Sequence, residues 1–170
     1  MHQVQKNTIF WQYLSQNQQD LITEGLYLVT FIQHNCHDCF KDYSFLVFPF
    51  AKAMEGYLKQ VFLDAGFISH LDYISDHLRL GKLLSPHLVN KLGARSLYQH
   101  LTNRVDEQFA ERIWQTWKLG RNQVFHYFSH NIHALSFAQA TALIDQILGM
   151  MEESHHKLLP TNEQAKQGLL

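Results

Sequence analysis

Residues 44 to 65 carry a long helical pattern. Phe50, Met54, Tyr57, Leu58, Val61, Phe62 and Ala65 keep the i, i+3, i+4 spacing of one broad apolar face, and Gly66 ends the run. Pro49 leaves two readings open, a proline in the first helical turn or a kink inside the helix. Residues 18 to 34 show the same period through Leu21, Ile22, Leu26, Leu28, Val29 and Ile32. The polar stretch HNCHDC separates the two segments. From 95 to 118, Leu97, Leu101, Val105, Phe109, Ile113 and Trp117 repeat every four residues, as one long helix or two abutting ones re-capped at Asn103. LGRN interrupts this pattern, and residues 122 to 129 restart it. A last helix begins at SFAQ, where Ser136 and Gln139 form a capping box, and buries Phe137, Ala140, Ile144, Ile147 and Met151. Beyond Pro160 the chain reads as a frayed tail.

Between these segments, residues 67 to 84 are less regular. SPHLVNKLG then gives a short helix, with Ser85 as cap, Pro86 in the first turn and Gly93 at the end. No stretch alternates as a strand does, and 3 Pro and 8 Gly are few for a β-rich chain of 170 residues. The expected fold is all-α: one domain over 1 to 170, with a core at about 18 to 155. Four to five main helices would form the bundle, with a small helical insertion at 67 to 93.

The net charge of -1 excludes a polycation that coats nucleic acid with its whole surface, though not a local basic cleft. No apolar run is long enough to span a bilayer. The first twelve residues, MHQVQKNTIFWQ, lack the charged start and apolar stretch of a leader peptide, so a soluble, cytoplasmic protein is expected. Cys36 and Cys39, within HNCHDC, make at most half a zinc site. They read as reduced thiols in a polar loop, and neither metal nor cofactor is expected.

The stretch RNQVFH, residues 121 to 126, joins an Arg, an Asn and a His. An Arg followed by a His at that range of spacings is expected by chance about once in a chain with this many Arg and His residues. A second match indeed exists, Arg95 to His100 in RSLYQH. Context separates them. RSLYQH continues a helical pattern and has no Asn after its Arg. In GRNQVFH, Gly120 reads as the end of one helix and Asn122 as the N-cap of the next, so Asn122 and His126 would share a face. Arg121, outside that helix, could then swing over the His. A fixed cation, an amide and a titratable imidazole near a helix N-terminus suit a phosphate.

RNQVFH at the start of a late helix resembles the HEPN superfamily, whose signature is Arg, four to six residues, then His. YSFLVFPFAKAMEGYLKQVF, residues 43 to 62, resembles the corresponding helix of toxins of the RNase LS type, in which an acidic residue in an ALEG-like turn joins the Arg and His. Here that residue is Glu55, in AMEG. The resemblance spans roughly residues 18 to 155 and is specific at these two segments. RNase LS toxins carry further domains ahead of this one.

The resemblance implies a metal-independent endoribonuclease, a toxin or phage-defence effector with a cognate antitoxin protein as partner. It also implies a homodimer that shares a composite cleft across a two-fold axis. RNA is the expected substrate, cut by attack of the 2′-OH to leave 2′,3′-cyclic phosphate and 5′-OH ends. The expected catalytic residues are Arg121, Asn122, His126 and Glu55. An imidazole titrates near pH 6.5 and suits acid or base work, while a guanidinium holds phosphate oxygens bidentately. Asn122 would position the phosphate, and Glu55 would orient His126 or Arg121 or share proton transfer. Arg121, Asn122 and Tyr127 are the expected RNA contacts, Tyr127 as a stacking platform. Phe125, Tyr127 and Phe128 otherwise read as core or dimer contacts, and Trp114 and Trp117 as core. The alternative is a non-catalytic HEPN module that binds RNA, a nucleotide or a protein. Residues 67 to 93 could shape the cleft, yet nothing in them names a substrate.

Overall fold

The computed structural model describes residues 5–127, 129–131 and 133–159, and all regular structure among them is helical. The tail after Pro160 and the residue Phe128 lie outside the described residues. The helices are α1 (Ile9–Tyr13), α2 (Gln16–Asn35), α3 (Ser44–Asp64), α4 (His70–Tyr73), α5 (Leu80–Leu83), α6 (Val89–Leu92), α7 (Leu97–Arg104), α8 (Glu107–Trp117) and α9 (Phe137–Leu158). The chain is therefore all-α. The 67 to 93 segment holds the short helices α4 to α6, with a 3₁₀ turn at Pro86–Leu88 leading into α6. No described helix is long and apolar enough to cross a membrane.

Helix α3 is the axis of the core. Leu46, Val47, Phe50, Met54, Tyr57, Leu58, Val61 and Phe62 are all buried, packed against α2 on one side and α9 on the other. Pro49 lies inside α3, five residues after its start, which settles the open reading against a first-turn proline. There it withholds the N–H that would bond the Phe45 carbonyl. Gly66, at φ 74°, ends the segment in the left-handed region that glycine enters without a steric cost. The Tyr57 hydroxyl donates to the Met151 carbonyl over 2.8 Å and so ties α3 to α9 within the core. Burial raises its pKa well above the ordinary phenol value. Tyr57→Phe is expected to lower unfolding free energy by about 1 kcal/mol, the usual net value of one such bond, as read by urea denaturation.

The expected capping box at Ser136 and Gln139 is present, and Ser15 with Gln18 forms another at the start of α2. Two cap assignments differ from the sequence expectation. The break in the 95 to 118 pattern is capped by Asp106, whose carboxylate accepts from the Phe109 N–H over 2.6 Å. Asn103 stays inside α7 and accepts from Gln99. An aspartate at an N-cap satisfies an orphan helix donor with a charge-assisted bond, which outcompetes an Asn one turn earlier. Ser85 precedes the 3₁₀ turn at Pro86 but gives it no side-chain cap. Cys36 and Cys39 are joined in a disulfide at the C-terminus of α2, which corrects the expectation of reduced thiols. Sulfurs bonded to each other are not thiolate ligands, and no cluster of three or more His, Cys, Asp or Glu suited to a metal forms among the described residues.

His155, on α9, packs edge-on against Phe10 and Tyr13 and lies beside His156. It is buried, and its Nδ1 has no hydrogen-bond partner among the described residues. Burial, and then the neighbouring His156, push its pKa below the ordinary imidazole value. The unfolded chain then binds the proton more readily than the fold does. Stability is full above about pH 6.5 and falls as the pH drops below it. The urea midpoint is expected to fall between pH 7 and pH 5, and to fall less in His155→Gln. Glu153 and Asp72, whose carboxyls are held below the usual range by hydrogen bonds from Arg112 and Ser69, lose their contributions only at more acidic pH.

Candidate functional site

The GRNQ stretch is not a helix end. From α8 the chain continues without a break through Lys118, at φ -61° and ψ -49°, into a π-helical segment, Lys118–Gln123. Gly120 is therefore not a stop signal, and Asn122 is not the N-cap of a new helix, which corrects both expectations. Gly120 serves a different need. It is buried, and a Cβ there would lie 2.8 Å from Cδ1 of Ile147 on α9. Only a residue without a side chain lets this segment lie on α9. The wider π turn, a feature that recurs at functional sites, then carries Arg121 and Asn122 outward.

Opposite lies the outer face of α3. Phe48, Lys52 and Glu55 are spaced by four and three residues and share one stripe. Glu55 Oε2 lies 3.5 Å from Nε of Arg121, a contact that joins residues 66 positions apart. Their side chains are 33% and 40% exposed respectively, so the pair sits at a surface and solvent screens it. The Arg121 guanidinium also lies 6.0 Å from the Phe125 ring centre, and Phe125 meets Phe48 edge-on at 5.5 Å. These groups line a cleft of about 330 Å³ together with Ala51 and Lys52.

The Glu55–Arg121 pair is shared with a second cleft of about 410 Å³, which Asn122 lines as well. Its other wall is the segment around α5, with Arg79 and Lys82. Four cationic side chains, Lys52, Arg79, Lys82 and Arg121, thus border the two clefts against the single carboxylate of Glu55. The chain is near neutral as a whole, yet this face is locally basic and suits a polyanion.

Of the five residues expected from sequence, the structure brings three together: Glu55, Arg121 and Asn122. His126 and Tyr127 are exposed, Tyr127 at 81%. Among the described residues no hydrogen bond or ion pair joins His126 to Arg121 or Glu55 of the same chain. Phe125 is partly buried against Phe48, and Trp117 is buried. The competing pair in RSLYQH is engaged elsewhere. Arg95 pairs with Asp72 at 3.1 Å, while His100 donates from Nε2 to the Ala94 carbonyl and stacks on Phe67. Sequence reasoning missed Lys52, Arg79 and Lys82. Lys52 was within reach, since it lies three residues before Glu55 on the same helical face. Arg79 and Lys82 depend on how the 67 to 93 segment folds back.

Comparison with known proteins adds no assignment: no family model, no curated protein and no solved structure matches this chain.

Proposed function

We propose that the protein is a metal-independent endoribonuclease of the HEPN type, acting as a toxin or phage-defence effector. The observation that carries this reading is the contact of Glu55 with Arg121. The two short segments that resemble HEPN toxins, AMEG and RNQVFH, are far apart in the chain, yet their charged residues touch at the mouth of a basic cleft.

In this reading Arg121 holds the non-bridging oxygens of the scissile phosphate and neutralises the charge that grows on the phosphorane. Its Nε faces Glu55, which fixes the plane of the guanidinium and turns its terminal amines towards the substrate. Asn122 lends its amide to the same phosphate. An imidazole removes the 2′-OH proton as that oxygen attacks phosphorus. The bond to the 5′-oxygen breaks, the leaving oxygen takes a proton from water, and the imidazolium returns its proton to the hydroxide so formed. The products are a 2′,3′-cyclic phosphate and a 5′-OH.

The imidazole is that of His126, and in this reading it comes from a second copy. The exposed aromatic surface around the cleft supports a homodimer that meets here. Phe48, in the wall of the cleft beside the Arg121 pair, is 52% exposed, and Tyr127, six residues after Arg121 in the chain, is 81% exposed. A two-fold arrangement would bring two Arg121 residues and two His126 residues to one composite groove. A cognate antitoxin would then act by covering that groove.

One observation favours a second reading, a non-catalytic module that binds RNA, a nucleotide or a protein: within one chain His126 stands apart from the Glu55–Arg121 pair. Incubation of wild type and His126→Ala with RNA in EDTA separates the two. Cleavage by wild type alone is the expected result. Tight RNA binding with no cleavage by either protein selects the module.

A further inference from the structure

We propose that the cleft between the Arg79–Lys82 segment and the Trp117–Asn122 segment is a phosphate-binding subsite, with the Trp117 indole N–H as its buried donor. It adjoins the position of the scissile phosphate, sharing Arg121 and Asn122 with it, and its other wall is built from the 67 to 93 insertion.

Three observations converge on it. The first is charge. Arg79, Lys82 and Arg121 line this cleft, and its one carboxylate, Glu55, is already paired with Arg121. Asn122 adds an amide donor. Such a lining repels cations and suits an anion. The second is an unmet donor. Trp117 is only 3% exposed, yet its Nε1–H has no acceptor among the described residues. Buried indole N–H groups usually find a partner, so an unmet one on a residue that lines a cleft points to an acceptor that arrives from outside.

The third is shape. Gly81 sits between Leu80 and Lys82, and a Cβ there would lie 2.6 Å from Trp117 Nε1 and 3.4 Å from Cδ1. The nitrogen-bearing edge of the indole therefore faces the Gly81 backbone. A side chain at position 81 would collide with that edge, while glycine lets the backbone of the cleft wall lie directly against it. A volume of about 410 Å³ accommodates a phosphate group with its attached sugar.

Phosphate is the ligand chemistry that uses all of these groups: oxygens for the indole and the amide, and charge for the arginines and the lysine. It could come from an RNA strand or from a free polyphosphate. The RNA source rests on the ribonuclease reading, but the phosphate site does not.

The test uses the full chain labelled with ¹⁵N and follows the indole N–H resonances. Loss of one signal in Trp117→Phe identifies the signal of Trp117. Inorganic pyrophosphate and a 2′-O-methyl uridine decamer are titrated separately. The decamer has no free 2′-OH along its backbone and cannot be cut by 2′-OH attack, so the result is independent of whether the protein cleaves RNA. Saturable movement of the Trp117 signal is expected with both probes. Because Arg79 and Lys82 are exposed, the Arg79→Ala/Lys82→Ala double variant keeps its fold. It is expected to bind the decamer about tenfold more weakly, and the salt dependence of binding becomes shallower by about 0.7 for each phosphate no longer neutralised. Movement with pyrophosphate but not the decamer supports the subsite and assigns it to a free polyphosphate. A Trp117 signal that neither probe moves, or a double variant that binds like wild type, overturns the proposal.

Discussion

Arg121→Ala is expected to slow RNA cleavage by at least about 10²-fold, the loss typical of removing one preorganised group that stabilises transition-state charge. The fold should survive. The Glu55–Arg121 pair is partly exposed on both sides, and such pairs contribute at most about 1 kcal/mol to stability. Arg121→Lys keeps the charge but loses the planar fork, so it should recover only part of the rate. Glu55→Gln keeps the shape of the side chain and removes its charge. If Glu55 orients the guanidinium, kcat falls while KM changes little, because the substrate still meets the cation. Arg95→Ala and His100→Ala should cleave RNA like wild type, since those side chains serve Asp72 and the Ala94 carbonyl. If either of these abolishes cleavage without unfolding the protein, the wrong Arg–His pair has been assigned.

The composite cleft makes a further demand on the same variants. If Arg121 of one copy works with His126 of another, a mixture of Arg121→Ala and His126→Ala chains contains dimers with one intact site. Mixing two inactive variants should then restore part of the wild-type rate. A mixture as inactive as its components would place both residues on one chain and contradict the two-copy arrangement.

Gly120→Val is expected to give the second large effect. The site depends on how closely the π segment approaches α9, and Ile147 Cδ1 occupies the space into which any side chain at 120 would project. Overpacking of this kind costs about 1 to 3 kcal/mol. In a chain of this length, each kcal/mol lowers the melting temperature by about 2 to 4 °C. The displaced backbone carries Arg121, so cleavage should fall together with stability, although no side chain of the site has changed. Ile147→Val removes the obstructing atom. Combined with the smaller change Gly120→Ala, it should recover part of both losses, and the recovery measures the coupling between the two positions. A Gly120→Val protein with wild-type melting and wild-type cleavage would show that the close approach does not position Arg121.

Gly120 also shows why parts of this fold could not be read from sequence. A glycine after a helical run fits a left-handed end, as at Gly66, and fits a close crossing equally well. What separates the two is Ile147, twenty-seven residues further on, which no local pattern reveals. The long helices were legible because α2, α3 and α9 bury broad apolar faces and the 3.6-residue period survives in each. Their caps were legible only in part. The Ser136 box follows its motif, whereas the choice of Asp106 over Asn103 depends on which carboxylate or amide reaches the next helix. The disulfide was not legible either, since a Cys pair separated by two residues is compatible with thiols, metal or a bond.

The site divides in the same way. Periodicity shows that Phe48, Lys52 and Glu55 share a face of α3, but not that Arg121 stands opposite. The family resemblance linked Glu55 to Arg121, and the contact between them supports that link without any periodic signal. Arg79 and Lys82 were invisible because they reach the cleft only through the folding of three short helices with little periodicity. The exposed position of His126 was equally hidden, because the expected helix restart at Asn122 does not form.

The most direct test of the proposed activity is chemical analysis of the RNA ends after incubation with the purified full-length protein in EDTA. Mass spectrometry of the fragments should find 2′,3′-cyclic phosphate on the 5′ fragment and a free 5′-OH on the 3′ fragment. Both should be absent with Arg121→Ala. RNA that stays intact, or fragments that carry 3′-OH and 5′-phosphate ends, would contradict the account.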